Sequence, residues 1–238
     1  MADALDSRRN RSGRSKATDP ANESMTLDGI IFMESSGVIR EAFRSKGLNV
    51  YSCDFQPADD GSPFHFQGDA RTVIREHKAG FYGFHPTCTY VCGSGIHWND
   101  RGRGWEKTDA ALGFILWCMA HTETPYYLEN PRGIISTMIR RPDQEIQPYQ
   151  FGDDASKLTC LWLNKLPCLC IDPARRKAGR MVLHKGKMVE RWANQTDSGQ
   201  NRLPPSETRW KERSRSYPGI AAAMAEQWGN PAELALTS

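Results

Sequence analysis

Large apolar side chains enter this chain in short bursts, beginning near Leu27 and separated by small and polar residues. Gly29-Ile30-Ile31-Phe32-Met33 is a continuous apolar run of the length expected of a strand buried on both faces. Ser35-Ser36-Gly37 breaks it. Val38, Ile39, Ala42 and Phe43 then recur at helical spacing, and Gly47 stops the helix. Residues 48–53 read as a second strand ending at Asp54. Strand, turn, helix and strand in that order form a βαβ unit with parallel strands. The alternation continues with strands over 81–84, 126–128 and 159–163, a buried helix over 110–120 and a last helix over 219–228. The pattern predicts a doubly wound, Rossmann-like α/β domain over residues 26–166 and 206–230. In such sheets ligands bind beyond the carboxyl ends of the strands. Ser35, Asp54, Cys88 and Glu129 all fall at those ends.

Two stretches stand outside the pattern. Residues 1–25 are rich in Ser, Arg, Asn and Asp and hold almost no large apolar side chains, which predicts a disordered tail. Arg8, Arg9, Arg11, Arg14 and Lys16 make it basic, so it is either a solvated terminus or an arm that tracks phosphates. Residues 167–205 show little periodicity and much charge, including Arg175, Arg176, Lys177, Arg180, Lys185, Lys187 and Arg191. They read as a short irregular insert.

Composition narrows the classes. Hydrophobic residues at 39% and charged residues at 25% allow a packed core and exclude global disorder. A net charge of +3 is compatible with a polyanionic partner and with an ordinary mildly basic enzyme. No stretch approaches the ~18 apolar residues of a membrane span, and the N-terminus lacks the apolar core of a signal peptide. The expected location is therefore cytoplasmic, with no membrane partner. The seven cysteines are expected as free thiols.

The strand ends carry the candidate chemistry. Glu34-Ser35-Ser36-Gly37 is a small-residue turn between strand and helix, which lets a cofactor approach the backbone and the helix N-terminus. It lacks the full G-x-G-x-x-G pattern. Asp54 follows about twenty residues on, where a carboxylate can accept hydrogen bonds from a ribose diol. Asp69, in Gln67-Gly68-Asp69, can accept from an adenine amino group. Cys88 lies in Pro86-Thr87-Cys88-Thr89-Tyr90 directly after a strand, and a cysteine there is nucleophilic as its thiolate. Cys92 reads as structural, or as a rival nucleophile. Glu129, in Leu128-Glu129-Asn130-Pro131, shares a cleft with Cys88 if their strands are neighbours. Cys160, Cys168, Cys170 and His184 match no tight zinc spacing, so no metal is expected. Trp98, Trp105, Trp192 and Trp210 read as packing residues.

The order small-residue turn, Asp, Gly-Asp, Pro-x-Cys, Glu-Asn, Phe-Gly-x5-Lys and a terminal Pro-Gly-Ile-Ala-Ala-Ala-Met-Ala helix resembles the cytosine-C5 DNA methyltransferases. The likeness is greatest to their short phage and prophage forms and covers about residues 27–228. The resemblance implies an S-adenosylmethionine cofactor, a methyltransferase fold of Rossmann type, duplex DNA as partner and a monomer when acting. It makes Glu34, Ser35, Ser36 and Gly37 the cofactor loop, Asp54 the ribose ligand and Asp69 the adenine ligand. Cys88 becomes the nucleophile, Glu129 the acid of the Glu-Asn motif and Asn130 its structural neighbour. Lys157 stands at the first Arg of a Gln-x-Arg-x-Arg region, in which Ala155 and Thr159 also depart from the pattern. Thr87 replaces the usual Pro before the Cys. Residues 167–205 occupy the place of the target-recognition region, and Arg209 to Arg215 with the last helix correspond to the closing motifs.

The implied chemistry needs these groups together. C5 of cytosine is a poor nucleophile, and a thiolate adding at C6 turns the ring into an enamine, while a carboxylic acid at N3 stabilises the developing charge. Both ring atoms are inaccessible in a stacked duplex, so the base must be flipped out. Three other readings compete: a methyltransferase acting on exocyclic amines, which would carry an Asn/Asp/Ser-Pro-Pro-aromatic motif; a DNA-binding accessory protein that keeps the fold without turnover; and an enzyme that modifies nucleotides or RNA.

Overall fold

A computed structural model describes residues 27–229. The tail expected over residues 1–25 lies outside the described residues. The elements in chain order are β1 (Leu27–Phe32), α1 (Val38–Arg44), β2 (Val50–Asp54), β3 (His65–Gln67), α2 (Ala70–Glu76), β4 (Ala79–Phe84), α3 (Gly93–Ile96) and α4 (Glu106–Ala120). Then come β5 (Tyr126–Pro131), α5 (Ile135–Met138), β6 (Gln144–Ile146), β7 (Thr159–Asn164), β8 (Arg180–His184), β9 (Lys187–Arg191), α6 (Arg209–Ser214) and α7 (Pro218–Trp228).

Seven strands form one sheet in the order β3-β2-β1-β4-β5-β7-β6. From β3 to β5 every pairing is parallel, and β7 runs antiparallel to both of its neighbours. The result is an α/β domain with a mostly parallel central sheet, compatible with a Rossmann-like fold. The order reverses between β1 and β4, so the crevice that such sheets use for ligands opens at the carboxyl ends of these two strands.

The run Ile30-Ile31-Phe32 explains why β1 is central. Ile30 and Phe32 are buried on one face with α2 and α4, against Val73, Ile74, Leu112 and Ile115. Ile31 is buried on the other face with α1 and α7, against Ile39, Phe43, Ala221 and Met224. A strand covered on both faces reads as continuously apolar, because neither side meets water. Gly29 admits the Phe81 ring from β4, whose atoms would lie within 2.8 Å of any added Cβ.

Several sequence expectations need correction. The insert over 167–205 is not irregular throughout, because β8 and β9 form a hairpin with a sheet of its own. Lys185 and Gly186 turn it with φ of 49° and 76°, the positive values that a tight hairpin turn demands. Its alternation is masked because Met181, Leu183 and Met188 are exposed, leaving no buried face to mark period two. The short elements β3, α2 and β6 were not anticipated: β3 has no buried residue and β6 only one. Strand β5 extends to Pro131, so Glu129 lies inside it, one residue beyond the last parallel pair, Phe84 with Leu128. Of the four tryptophans read as packing residues, only Trp192 is buried; Trp98, Trp105 and Trp210 are exposed. All seven cysteines are free. Among the described residues no helix is long and apolar enough to cross a membrane, and no group of three or more His, Cys, Asp or Glu could hold a metal ion.

Candidate active site

At the end of β1 the chain turns sharply. Met33 adopts φ 56° and Gly37 φ 72°, both left-handed. The Glu34 side chain is thereby folded under its own loop, where it is 4% exposed. Its Oε1 accepts from the Ser36 hydroxyl and from the Val38 backbone N–H at 3.1 Å. Its Oε2 has no partner among the described residues. Burial pushes the Glu34 carboxyl above the usual range, against the opposing pull of Ser36, His85 and Arg40. The wholly buried Arg40 is held by Ser52 at 2.7 Å, by Glu41 and by Asp60. A Cβ at position 37 would run into Arg40 and Asp60, so glycine is required there.

Asp54 and Asp69 stand on the same side of the crevice. The backbone of Gly68 donates to Asp54 O at 2.9 Å, tying the ends of β2 and β3 together. Asp54 Oδ1 accepts from Gln56 N at 2.9 Å, and Asp69 Oδ1 accepts from Arg71 N at 2.8 Å as the N-cap of α2. Asp59 also belongs to this side, because its N–H donates to Ser35 O at 2.8 Å and its carboxylate pairs with Lys211 of α6 at 2.7 Å. Helix α6 is thereby tied to the loop that follows β2.

The strand ends of β4 and β5 bring Cys88 and Glu129 together, as the sequence predicts for neighbouring strands. Cys88 opens a 3₁₀ turn over Cys88–Tyr90 and is partly exposed. This turn is clamped to the segment after β5: Asn130 Nδ2 donates to Pro86 O at 2.7 Å and Ile134 N to Val91 O at 2.9 Å. Cys92 pairs with Gly133 in an isolated bridge. The Cys88 and Cys92 side chains act on one another: with burial, that interaction holds the Cys88 thiol up, and it lowers Cys92 to about 5, assisted by Ser94, whose hydroxyl lies 3.3 Å from Cys92 Sγ. Lys157 pulls Cys88 in the favourable direction.

Glu129 is the electrostatic centre. Burial raises its carboxyl, but Lys157 and His85 outweigh burial and leave it below the usual range. His85 Nδ1 lies 3.4 Å from Glu129 Oε2. His85 Nε2 lies 3.0 Å from the hydroxyl of Tyr127, which is fully buried. Lys157 is presented by a short loop before β7, and the insert steadies that loop. Asn194 Oδ1 accepts from Ser156 N and Asn194 Nδ2 donates to Ser156 O, both at 2.9 Å. Trp192 stacks on Tyr149 with ring centroids 4.0 Å apart, fixing the insert to the domain. Ala155 and Thr159 are buried, so of the three positions in this region only Lys157 offers a cation.

His85, Tyr127, Cys92 and Asn194 were not singled out from the sequence as parts of the site's electrostatic network. His85 sits three residues before Cys88 and carried a usable signal; the others become visible only when strands and insert are assembled. Three of the insert's arginines are neutralised by ion pairs, two of them within the insert and one with α7. Arg175, Arg176 and Arg180 pair with Glu226, Glu190 and Asp197. No protein-family model matches this chain, and no curated protein matches it.

Proposed function

We propose that the protein is an S-adenosylmethionine-dependent DNA cytosine-C5 methyltransferase. The observation that carries this reading is the meeting of a partly exposed cysteine, a carboxylate and a lysine at the ends of β4 and β5, beside a buried carboxylate oxygen without a partner at the end of β1. A buried unsatisfied oxygen costs about 1–3 kcal/mol until a donor reaches it. An ammonium group satisfies it, and the cofactor's amino acid end carries one. The residues thus fit the group: Glu34 for the ammonium, the backbone of Ser35 to Gly37 beside it, Asp54 for the ribose and Asp69 for the adenine amino group. When bound there, S-adenosylmethionine supplies an electrophilic methyl group.

The remaining chemistry belongs to the chain. Cys88 gives its proton to the Cys92 thiolate and adds through Sγ to C6 of a flipped-out cytosine. At N3, where the negative charge of the adduct develops, Glu129, whose anion Lys157 and His85 favour, shares a proton drawn from solvent. Lys157 lies close enough to both to stabilise the thiolate before attack and the carboxylate after it. Once C5 carries the methyl group, a water molecule accepts the C5 proton, the electron pair of that C–H bond re-forms the C5–C6 double bond, and Cys88 Sγ leaves as a thiolate that recovers its proton from Cys92.

The test is methyl transfer from isotope-labelled S-adenosylmethionine to unmethylated duplex DNA, read as nucleosides by mass spectrometry. Labelled 5-methylcytosine from the wild type and at least a 10³-fold loss in Cys88→Ser are expected, following the scale of nucleophile removal. Label on an exocyclic nitrogen would refute C5 chemistry. Transfer to nucleotide or RNA alone would replace the acceptor. Absence of both transfer and cofactor binding would favour an accessory protein.

A further inference from the structure

We propose that His85 is a positioning residue: locked by Tyr127 at Nε2, it turns Nδ1 toward Glu129 Oε2 and leaves the other carboxylate oxygen for the edge of the target base. This rests on the methyltransferase reading of the site and adds to it a residue that touches neither base nor cofactor.

The argument starts from Tyr127. Its hydroxyl is buried, and a buried hydroxyl needs an acceptor. His85 Nε2 lies 3.0 Å away. Burial raises the Tyr127 phenol well above its ordinary value, with the nearby Glu34 and Glu129 carboxylates acting in the same direction, so the hydroxyl keeps its proton and donates. Nε2 then accepts, and the ring proton must reside on Nδ1. That nitrogen faces Glu129 Oε2 at 3.4 Å. The imidazole is also fixed as a body. Its ring meets the Tyr127 ring edge to face at 83°, and its backbone N–H donates to Phe32 O at 3.1 Å. Its charged and titratable neighbours by element are Glu34 after β1 and Tyr127 and Glu129 on β5. Arg40 of α1 acts on Glu34, and Lys157 before β7 acts on Glu129.

The consequence is chemical. With Nδ1–H and Lys157 both favouring the anion, Glu129 meets the base as an oriented carboxylate. One proton, taken from solvent, is then shared between Glu129 and N3 and rests toward the ring, which makes C6 more electrophilic toward Cys88. Without His85 the carboxyl loses one of the two partners that favour its anion and the contact that fixes its orientation.

The experiment compares wild type with His85→Leu, His85→Asn and Tyr127→Phe. Glu129 is titrated by infrared difference spectroscopy with Glu129→Gln as blank, and steady-state methyl transfer is measured beside it. His85→Leu is expected to move the Glu129 titration upward and to lower kcat 10- to 100-fold, the usual effect of losing such a partner, with KM for S-adenosylmethionine unchanged. His85→Asn, whose Nδ2 can occupy the place of Nδ1, is expected to restore most of both. Tyr127→Phe is expected to shift the titration in the same direction by less, and it carries the test with His85→Asn if His85→Leu does not fold. An unmoved Glu129 titration in His85→Leu and Tyr127→Phe would overturn the proposal, as would a His85→Asn variant no better than His85→Leu. A wild-type protein that methylates no DNA would sink the functional reading instead, while the titration would still decide the role of His85.

Discussion

Two carboxylates at the same crevice, Glu34 buried and Glu129 half-buried, are pushed in opposite directions. Glu34 is raised, chiefly by burial, and Glu129 is lowered because Lys157 and His85 overcome burial. The stability consequences have opposite sign. For Glu34 the folded-state value lies above the unfolded one, so its contribution is fully present below the unfolded value and is lost as pH rises through the folded value. For Glu129 the contribution is present above the unfolded value and is lost as pH falls through the folded one. Glu34→Gln is therefore expected to raise the melting temperature by a few degrees at pH 8 and by less at pH 5, while weakening S-adenosylmethionine binding. Thermal melts at the two pH values and a cofactor titration check it. Equal stabilisation at both would refute burial of the charge as the cause.

At the scale of elements, the Cys88 turn is held by backbone packing. The Cys88 turn and the Pro131–Ile134 segment approach so closely that a Cβ on Gly133 would sit 2.7 Å from the Cys92 Cα and closer still to Val91 O. Those are backbone atoms, which cannot rotate away. Gly133→Ala is expected to destabilise the protein by about 1–3 kcal/mol and to lower methyl transfer by more than the loss of folded protein explains. Denaturant melts alongside initial rates will show this, and an unaltered rate per folded molecule would separate the turn from the chemistry. Asn99 organises the next stretch, donating to Thr108 Oγ1 at 2.7 Å while Arg103 donates to its Oδ1 at 2.9 Å.

At the scale of the whole molecule, the β8–β9 hairpin shares no strand pairing with the central sheet and carries exposed Lys185 and Lys187 at its tip. Of the arginines behind the tip, Arg180 is paired with Asp197 and Arg191 donates to the backbone carbonyls of Glu190 and Asp197, so any phosphate contact by the hairpin falls mainly on these lysines. The double variant Lys185→Ala/Lys187→Ala is expected to weaken DNA binding uniformly across sequences. It should reduce the slope of log K against log salt by about 0.9 per lost contact, leaving the melting temperature unchanged within a degree. Fluorescence anisotropy from low to moderate salt measures the slope, and a slope equal to wild type would remove the hairpin from the interface.

The sequence by itself determined the central strands and both helix layers, because β1, β4 and β5 are buried on both faces and their apolar runs cannot be satisfied elsewhere. It also determined that Cys88 and Glu129 would meet, since adjacent parallel strands deliver their carboxyl ends to one crevice. The short half-exposed elements β3 and β6, and the hairpin, were not legible, because period two leaves no mark where neither face is covered. Only the tertiary structure decided the electrostatics of the site. Lys157 was named from the sequence, but its pull on Glu129, like that of His85 and the seating of His85 by Tyr127, was not. Their influence on Glu129 arises from distances of a few ångströms in a poorly hydrated crevice, where an interaction too weak to notice in water is strong enough to set a protonation state.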